Sequence, residues 1–358
     1  MASLLSLPLA ALAGGVLLAA CGVEPAGGSG PTEAPPPPAT TGLDPALMDT
    51  GLAQARQLPN LNSLIVVRDG EVLAEHRLNG PPLDQPVNIK SASKSVLSAL
   101  TGIAIEKGVL SGVDQKVAPI LQADLPAGGD TRLQAIEVGH LLSMQAGLGR
   151  TSGQYYGAWV TSPNWVRHAL ARPFDDDPGG RMIYSTGTSH LMSAVLTRAS
   201  GRSTHALAEA WLAEPLGVSI PPWPRDPQGI YFGGNDMLMS PRALVRFGEL
   251  YRQDGVIDGV RILPEGWVAE SWTPRTTSPW SGRDYGYGWF HKVSNGHDVH
   301  FAWGYGGQMV FVVPSLALTV VMTSDPRPRP REESHVGDLH RLLDEAIIPA
   351  AVHGAPPA

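Results

Sequence analysis

Residues 90–107 read KSASKSVLSALTGIAIEK, and this stretch contains the strongest indication of both the fold and the functional site. Its apolar residues recur at helical spacing and predict a helix over Ser93 to Lys107. Ser91 and Lys94 stand three positions apart, so both side chains would share one face of a helical turn. They form the only Ser-x-x-Lys in a chain of 358 residues that contains five lysines. Because lysines are scarce in this chain, a Ser-x-x-Lys sequence is less expected to arise by chance.

The Ser91 and Lys94 pair is suited to nucleophilic catalysis. A serine hydroxyl is a weak nucleophile at neutral pH, and a lysine can activate it only if burial or a neighbouring cation lowers the lysine pKa. The N-terminus of a helix favours negative charge at Ser91, and its free amides can bind an oxyanion. In isolation, the pair is equally consistent with a serine that caps the helix beside a solvated lysine.

Residues 184–188, YSTGT, supply a possible second element, because they precede an apolar helical stretch. A tyrosine held beside a lysine can shed or relay a proton, which makes Tyr184 a candidate catalytic group. A tyrosine in the core with its hydroxyl at the surface is the structural alternative. The other motifs in the chain must therefore decide whether Tyr184 is a catalytic group or a core residue.

Residues 303–308, WGYGGQ, supply a third element that leads into an apolar run. Glycines allow a substrate to approach the backbone, so the amides of Gly306, Gly307 and Gln308 are candidates to complete an oxyanion hole. An ordinary turn before a strand also favours glycine, and this cluster alone is weak support.

The pattern of elements predicts an α+β fold. Residues 63–68 and 71–76 are apolar runs joined by Asp69-Gly70, a strong hairpin signal. Further strands are predicted at 285–290, 309–313 and 316–322, with helices at 138–144, 188–198, 241–253 and 335–348. Strands at both ends with helices between them indicate one antiparallel sheet that pairs distant segments.

Together and in this order, the three elements resemble the serine β-lactamase and penicillin-binding-protein superfamily. The resemblance covers most of residues 43–352 and is closest to the class C branch, which includes esterases, D-alanyl-D-alanine carboxypeptidases and 6-aminohexanoate-dimer hydrolases. It implies a β-lactamase/transpeptidase-like fold, in which the antiparallel sheet is flanked by helices and joined by an all-helical lobe. It also implies that Ser91 is the nucleophile and that Lys94 and Tyr184 handle protons, with no metal or organic cofactor.

Two departures from the family pattern bear on the substrate. The class C branch uses Tyr-x-Asn as its second motif, and here Thr186 stands in place of the asparagine, so the carboxamide is missing. The family's Lys-Thr-Gly triplet is also absent, because the last lysine, Lys292, is followed by Val293-Ser294. Both losses argue against an efficient β-lactamase and favour an esterase or simple amidase. Tyr155 and Tyr156 lie in a loop, where they would either line the pocket mouth or cover the core.

The N-terminal segment predicts export. An apolar run from Leu4 to Ala20 ends at Cys21, and residues 18–21, LAAC, resemble a bacterial lipoprotein signal. We expect residues 1–20 to be a signal peptide, Cys21 to be lipidated, 21–42 to be a Pro/Gly-rich linker, 43–352 to be the hydrolase domain and 353–358 a tail. The alternative is an ordinary signal peptide or short anchor with an incidental thiol. The lipoprotein interpretation places the protein in the cell envelope, beyond the bacterial inner membrane and attached through a lipid anchor.

The expected activity is acyl transfer from an ester or amide to water. The net charge of -7 gives no basic field for a polyanion, so a nucleic-acid partner has no electrostatic support. The expected partner is a small ester or amide, or a cell-wall peptide. D-alanyl-D-alanine carboxypeptidase or weak β-lactamase activity is one alternative. A non-catalytic envelope lipoprotein that binds penicillin or cell-wall peptide is the other.

Overall fold

An eight-stranded antiparallel sheet forms the centre of the computed structural model, which describes residues 42–327 and 332–354. The predicted signal peptide, Cys21 and nearly all of the linker lie outside the described residues. The strand order is β2-β1-β12-β11-β10-β9-β8-β7, and the pairs β3-β4 and β5-β6 form two small separate sheets. The strands are β1 Leu61–Arg68, β2 Glu71–Arg77, β3 Val87–Asn88, β4 Leu238–Met239, β5 Val256–Ile257, β6 Val260–Arg261, β7 Thr276–Thr277, β8 Asp284–Tyr285, β9 Phe290–Ser294, β10 His297–Gly304, β11 Gln308–Val313 and β12 Leu318–Ser324.

Helices cover both faces of the sheet and fill the segment between β2 and β7. Within the described residues, no helix is both long and apolar enough to cross a membrane. The α-helices are α1 Pro45–Arg56, α2 Ser93–Glu106, α3 Val138–Leu142, α4 Tyr156–Val160, α5 Trp165–Leu170, α6 Thr186–Ser200, α7 Thr204–Ala208, α8 Glu214–Leu216, α9 Pro241–Arg252, α10 Trp267–Trp272, α11 Glu332–Leu342 and α12 Ile348–His353. Short 3-10 helices span Lys90–Ala92, Gln122–Asp124, Thr131–Ala135, Gly153–Tyr155 and Pro314–Leu316, and π-helical turns span Glu209–Ala213 and Leu343–Ile347.

The predicted N-terminal hairpin is confirmed. Strands β1 and β2 pair through a turn in which Asp69 and Gly70 have φ of 49° and 82°. Positive φ at both positions is what a two-residue hairpin turn requires, and Asp-Gly supplies it at low conformational cost. Strand β1 then pairs with β12, so the first and the last strands in chain order lie side by side, second and third from one edge of the sheet.

The alternation of side chains along the strands divides the core in two. In β1, Ile65 and Val67 belong to the cluster that contains α2, while Leu64 and Val66 belong to the cluster built with α11 and α12. Successive strand residues point to opposite faces of a sheet, which explains this division. The predicted α+β fold with an antiparallel sheet flanked by helices is thus confirmed. Helix α2 lies on one face of the sheet, and α11 and α12 lie on the other.

The aromatic run 285–290 is not one strand, as its composition had suggested. Strand β8 ends at Tyr285 and β9 begins at Phe290, with a tight connection between them. A Cβ on Gly286 would lie 2.2 Å from the carbonyl oxygen of Ser271, and one on Gly288 would lie 2.7 Å from that of Lys94. These glycines permit close backbone approach rather than continued pairing. Strand β10, whose polar residues hide its periodicity, was not predicted at all.

Candidate active site

Ser91 lies in the turn that leads into α2. The 3-10 helix Lys90–Ala92 runs directly into α2, and neither N-terminus has a side-chain capping bond. Lys90 opens this turn with a φ of 50°, a conformation that non-glycine residues rarely adopt. Ser91 therefore does not cap the helix, and Lys94, only 4% exposed, is not a solvated lysine. The capping alternative is wrong on both counts.

The amine of Lys94 is buried between two oxygens. Its Nζ lies 3.0 Å from Ser91 Oγ and 2.7 Å from the carbonyl oxygen of Gly234. Because burial removes the hydration of the ammonium form, the pKa of Lys94 is lowered from 10.5 to about 7. A large fraction of Lys94 is then neutral near pH 7, and its lone pair can accept the proton of the Ser91 hydroxyl.

Gly234 is a functional position that the sequence did not reveal. Its φ is +72°, and a Cβ there would lie 2.8 Å from Lys94 Cγ and 2.3 Å from Ser189 Oγ. Only glycine lets the backbone come this close while presenting its carbonyl to the amine. The signal in the sequence is the pair Gly233-Gly234 before Asn235, which acquires meaning only through a contact 140 residues away.

Tyr184 completes the polar cluster, as the sequence predicted. Its ring centroid is 4.8 Å from Lys94 Nζ, and its hydroxyl lies close enough to the side chain of Ser91 to affect the pKa of the phenol. Burial raises the pKa of Tyr184 to about 12, and the nearby Ser91 side chain opposes this shift. Trp280 packs edge-on against the same ring at 5.1 Å, with 51% of its own surface exposed.

The two pKa shifts distinguish the base from the acid. Lys94, with a pKa of about 7, is the group that can be neutral at physiological pH. Tyr184, with a pKa of about 12, keeps its proton under the same conditions. A general base works best when its pKa lies near the operating pH, so this geometry favours Lys94 as base and Tyr184 as proton donor.

The backbone of β10 approaches the Ser91 turn at Gly304. A Cβ on Gly304 would lie 2.2 Å from the carbonyl oxygen of Ile89, two residues before Ser91. Glycine is therefore required at this position for the strand end to lie against the turn. The following residue, Tyr305, is 56% exposed.

The sequence suggested the amides of Gly306, Gly307 and Gln308 as oxyanion donors. These residues follow Gly304 in the chain and lie beyond its contact with the Ser91 turn. A Cβ on Gly306 would meet Pro326 at 2.6 Å, and one on Gly307 would meet Leu339 at 2.7 Å. Gln308 is 1% exposed, and its side chain donates to the end of β12. Gly306 and Gly307 therefore allow close packing on the segment after β12 and on α11. The glycine that contacts the Ser91 turn is Gly304.

The remaining predicted site residues differ in their exposure. Thr186 begins α6 and is 6% exposed, with Oγ1 lying 3.0 Å from Ser152 Oγ. Tyr155 is 40% exposed and stays available to a ligand. Tyr156 is partly buried, and Asn235 donates to its hydroxyl at 3.3 Å. Of the two loop tyrosines, Tyr155 therefore fits a pocket mouth, whereas Tyr156 covers the core.

Lys292, the last lysine of the chain, is held by an ion pair with Asp344. Its Nζ lies 2.6 and 2.7 Å from the two carboxylate oxygens of Asp344. Asp344 belongs to the π-helical turn after α11, which covers the face of the sheet opposite α2. Strands β10, β11 and β12 contain no lysine or arginine. These strands therefore offer no lysine or arginine to the carboxylate of a substrate at Ser91.

The comparison with protein families agrees with this geometry. A family model described as beta-lactamase matches residues 50–344. The chain belongs to the beta-lactamase family. It is a serine hydrolase of this family with a class C-like arrangement, which confirms the resemblance drawn from the three motifs. No curated protein sequence matches it.

Several solved structures share the fold at low identity. A Bacteroides dorei protein assigned as a beta-lactamase superposes with a TM-score of 0.72 at 16% identity, over 86% of this chain and 98% of that chain. A Bacillus anthracis protein assigned as a 6-aminohexanoate-dimer hydrolase gives 0.67 at 18%, over 84% and 81%. EstCE1, a hydrolase with promiscuous acyltransferase activity, gives 0.66 at 17%, over 82% and 98%. At these identities, the likeness establishes the fold alone.

The pKa of Lys94 predicts the pH dependence of any acyl transfer at Ser91. The neutral amine is the active form, so kcat/KM should fall about tenfold per pH unit below a pKa of about 7 and level off above it. Ester hydrolysis measured across this pH range would show this fall in kcat/KM as the acid limb of the pH profile. A flat profile around neutrality, or a limb near the usual lysine pKa of 10.5, would contradict the assignment of Lys94 as base.

Proposed function

We propose that this beta-lactamase-family protein hydrolyses small esters or simple amides through an acyl-enzyme. Ser91 Oγ attacks the substrate carbonyl while Lys94 Nζ takes the hydroxyl proton, and the oxyanion is held by the Ser91 amide and the backbone near Gly304. The leaving group departs with a proton from Tyr184, and Lys94 passes the proton it took from Ser91 to Tyr184, so that the amine is neutral again. Water then attacks the ester on Ser91 and gives a proton to Lys94, and Lys94 returns this proton to Ser91 Oγ as the bond to the acyl group breaks, which releases the acid product and the free enzyme.

The buried amine 3.0 Å from Ser91 Oγ, with its pKa lowered to about 7, carries this proposal. A lysine in this condition is unfavourable for stability, so its burial is expected where it has a chemical task. The same lysine also weighs against a purely binding protein, since a ligand site needs no desolvated base. The preference for esters or simple amides rests on Lys292, which is bound to Asp344, and on Thr186 in place of an asparagine.

A substrate panel tests the proposal. It comprises p-nitrophenyl acetate, nitrocefin, a D-alanyl-D-alanine peptide and 6-aminohexanoate dimer, each assayed with the wild type and Ser91→Ala. We expect ester turnover that depends on Ser91, with kcat/KM for nitrocefin lower by about a hundredfold or more. Preferred turnover of nitrocefin or the peptide would favour the carboxypeptidase or β-lactamase alternative. Binding without turnover of any substrate would favour the non-catalytic one. The envelope location inferred from residues 1–21 stays a prediction.

Trp280 offers an apolar surface to the substrate. It lies at the tip of a closed loop, in which Ser278 N–H donates to Arg283 O at 2.8 Å and Gly282 N–H donates to Ser278 O at 2.9 Å. This loop holds an exposed indole against the ring of Tyr184. We expect Trp280→Ala to lower kcat/KM for a p-nitrophenyl hexanoate by about tenfold more than for the acetate, because only the longer chain reaches the indole.

The matched control for this prediction is Trp211→Ala. Trp211 is partly exposed too, but it lies on the π-helical turn Glu209–Ala213 beside Lys107. That change should leave the ratio of hexanoate to acetate activity as in the wild type. Equal losses on both esters in Trp280→Ala would show that Trp280 supports Tyr184 without contacting the acyl chain.

A further inference from the structure

A histidine with no place in the proposed chemistry lies fully buried behind the site. His190, one turn into α6, has no exposed surface. Three aromatic rings surround its imidazole, with centroids at 5.3 Å for Trp165, 5.8 Å for Trp159 and 6.0 Å for Phe232. A polar ring in such surroundings is unfavourable unless both of its nitrogens are hydrogen-bonded.

Both nitrogens of His190 do have partners. The backbone N–H of Gly233 donates to Nδ1 at 3.2 Å, and Nε2 lies 3.0 Å from Oδ2 of the buried Asp226. A nitrogen that accepts a hydrogen bond carries no proton, so the network assigns the neutral tautomer with its proton on Nε2. The other oxygen of Asp226 accepts from the amides of Gln228 and Ile230, at 2.8 Å each.

These contacts fix the loop that ends at Gly234. Ser189, next to His190 on α6, donates from Oγ to the carbonyl of Gly233 at 3.1 Å. The N–H and the C=O of Gly233 are therefore both held by α6. The next carbonyl, that of Gly234, is the one that accepts from Lys94 Nζ. His190 is thus linked to Lys94 through only two residues, Gly233 and Gly234.

We propose that His190 is a positioning residue, whose Nδ1 holds Gly233 so that the carbonyl of Gly234 orients the Lys94 amine toward Ser91. Asp226 holds the imidazole in the tautomer that leaves Nδ1 free to accept. This inference rests on the proposed function insofar as Lys94 acts as the base. The His190 ring itself touches neither Ser91 nor a substrate.

Two substitutions separate the accepting nitrogen from the donating one. In His190→Asn, the amide oxygen occupies about the position of Nδ1 and can still accept from Gly233. In His190→Gln, the longer side chain places its amide nitrogen near the position of Nε2 and keeps the bond to Asp226 instead. Both changes remove the ring and its aromatic contacts, so each serves as a packing control for the other.

The proposal predicts different kinetics for the two variants. His190→Asn should keep kcat within about threefold of the wild type, while His190→Gln should lose roughly ten- to a hundredfold in kcat with KM little changed, because the base is displaced. The carbonyl of Gly234 favours the charged amine, so its displacement should also move the acid limb of kcat/KM to lower pH in His190→Gln. Rates are to be expressed per active site, counted with a fluorophosphonate, so that unfolded protein does not contribute.

The result that overturns the proposal is an acid limb in His190→Gln that stays in place or moves upward. Trp165→Phe, which alters the packing of His190 without touching its hydrogen bonds, should leave the limb unchanged. Nitrogen NMR of the wild type provides a test that needs no variant and no turnover. It should show Nδ1 unprotonated and Nε2 protonated, and the reverse tautomer would contradict the proposal even if ester hydrolysis were never observed.

Discussion

Replacing Lys94 with methionine should abolish turnover and stabilise the protein at the same time. The methionine fills a similar volume but removes the base that activates Ser91, so kcat/KM should fall on the order of a thousandfold. The same change also removes an amine from a buried position, where its pKa is lowered from 10.5 to about 7. A drop of this size corresponds to several kcal/mol, of which the lost hydrogen bonds cancel part, leaving a gain of roughly 2–4 kcal/mol at mildly acid pH.

The stability gain in Lys94→Met should depend on pH in a defined direction. The folded-state pKa of Lys94, about 7, lies below the unfolded value of 10.5. Between these values the unfolded state binds more protons, so the stability of the wild type rises with pH. The advantage of the variant should therefore be largest below a pH of about 7 and disappear toward about 10.5, as thermal unfolding would show. Lys107→Met, a change at an exposed lysine at the end of α2, should show no such trend. A Lys94→Met protein that is less stable than the wild type in mild acid would contradict the buried, depressed amine.

The second large effect is expected from Tyr184→Phe. This change keeps the ring that contacts Lys94 and Trp280 but removes the hydroxyl that lies close to the Ser91 side chain. We expect kcat to fall on the order of a hundredfold, because the leaving group loses its proton donor, while KM changes little. Turnover of an ester with a poor leaving group should suffer more than turnover of p-nitrophenyl acetate, which needs little protonation.

Tyr285→Phe is the matched control for Tyr184→Phe. Tyr285 lies near Tyr184 and is 1% exposed, and its hydroxyl contacts neither Ser91 nor Lys94 through any hydrogen bond found in the described residues. Its loss should leave kcat within about threefold of the wild type. If Tyr184→Phe behaved in the same way, proton delivery would not pass through Tyr184.

The sequence predicted the part of the site that depends on local spacing. Ser91 and Lys94 are three residues apart, and the helix that brings them together forms from the same stretch. Tyr184 was found because a family pattern links it to that pair. Gly234 was not predicted, because its role depends on a long-range approach of its backbone to the side chains of Lys94 and Ser189, which no local pattern encodes. The link between His190 and Gly233 is likewise visible only in three dimensions.

The fold was predictable to a similar depth. Strands β1 and β2 could be predicted from an Asp-Gly turn between apolar runs, and α2 from its helical spacing. Strand β10 could not be predicted, because His297, Asp298 and His300 interrupt its apolar pattern. The run from Tyr285 to Phe290 has strand-like composition, yet its glycines serve close contacts with Ser271 and Lys94. Only tertiary contacts show that Gly304 is the glycine of residues 304–307 that meets the Ser91 turn, and the oxyanion role of the amides in this segment stays a prediction.

The central claim is that Ser91 is a nucleophile activated by Lys94. Intact-mass analysis of the purified protein after reaction with a fluorophosphonate tests it most directly, with the modified peptide then sequenced. We expect one adduct per chain, located on Ser91, forming at a rate that is half-maximal near the Lys94 pKa of about 7. No adduct should form in Ser91→Ala. An unmodified wild type, or an adduct on any other residue, would contradict the account.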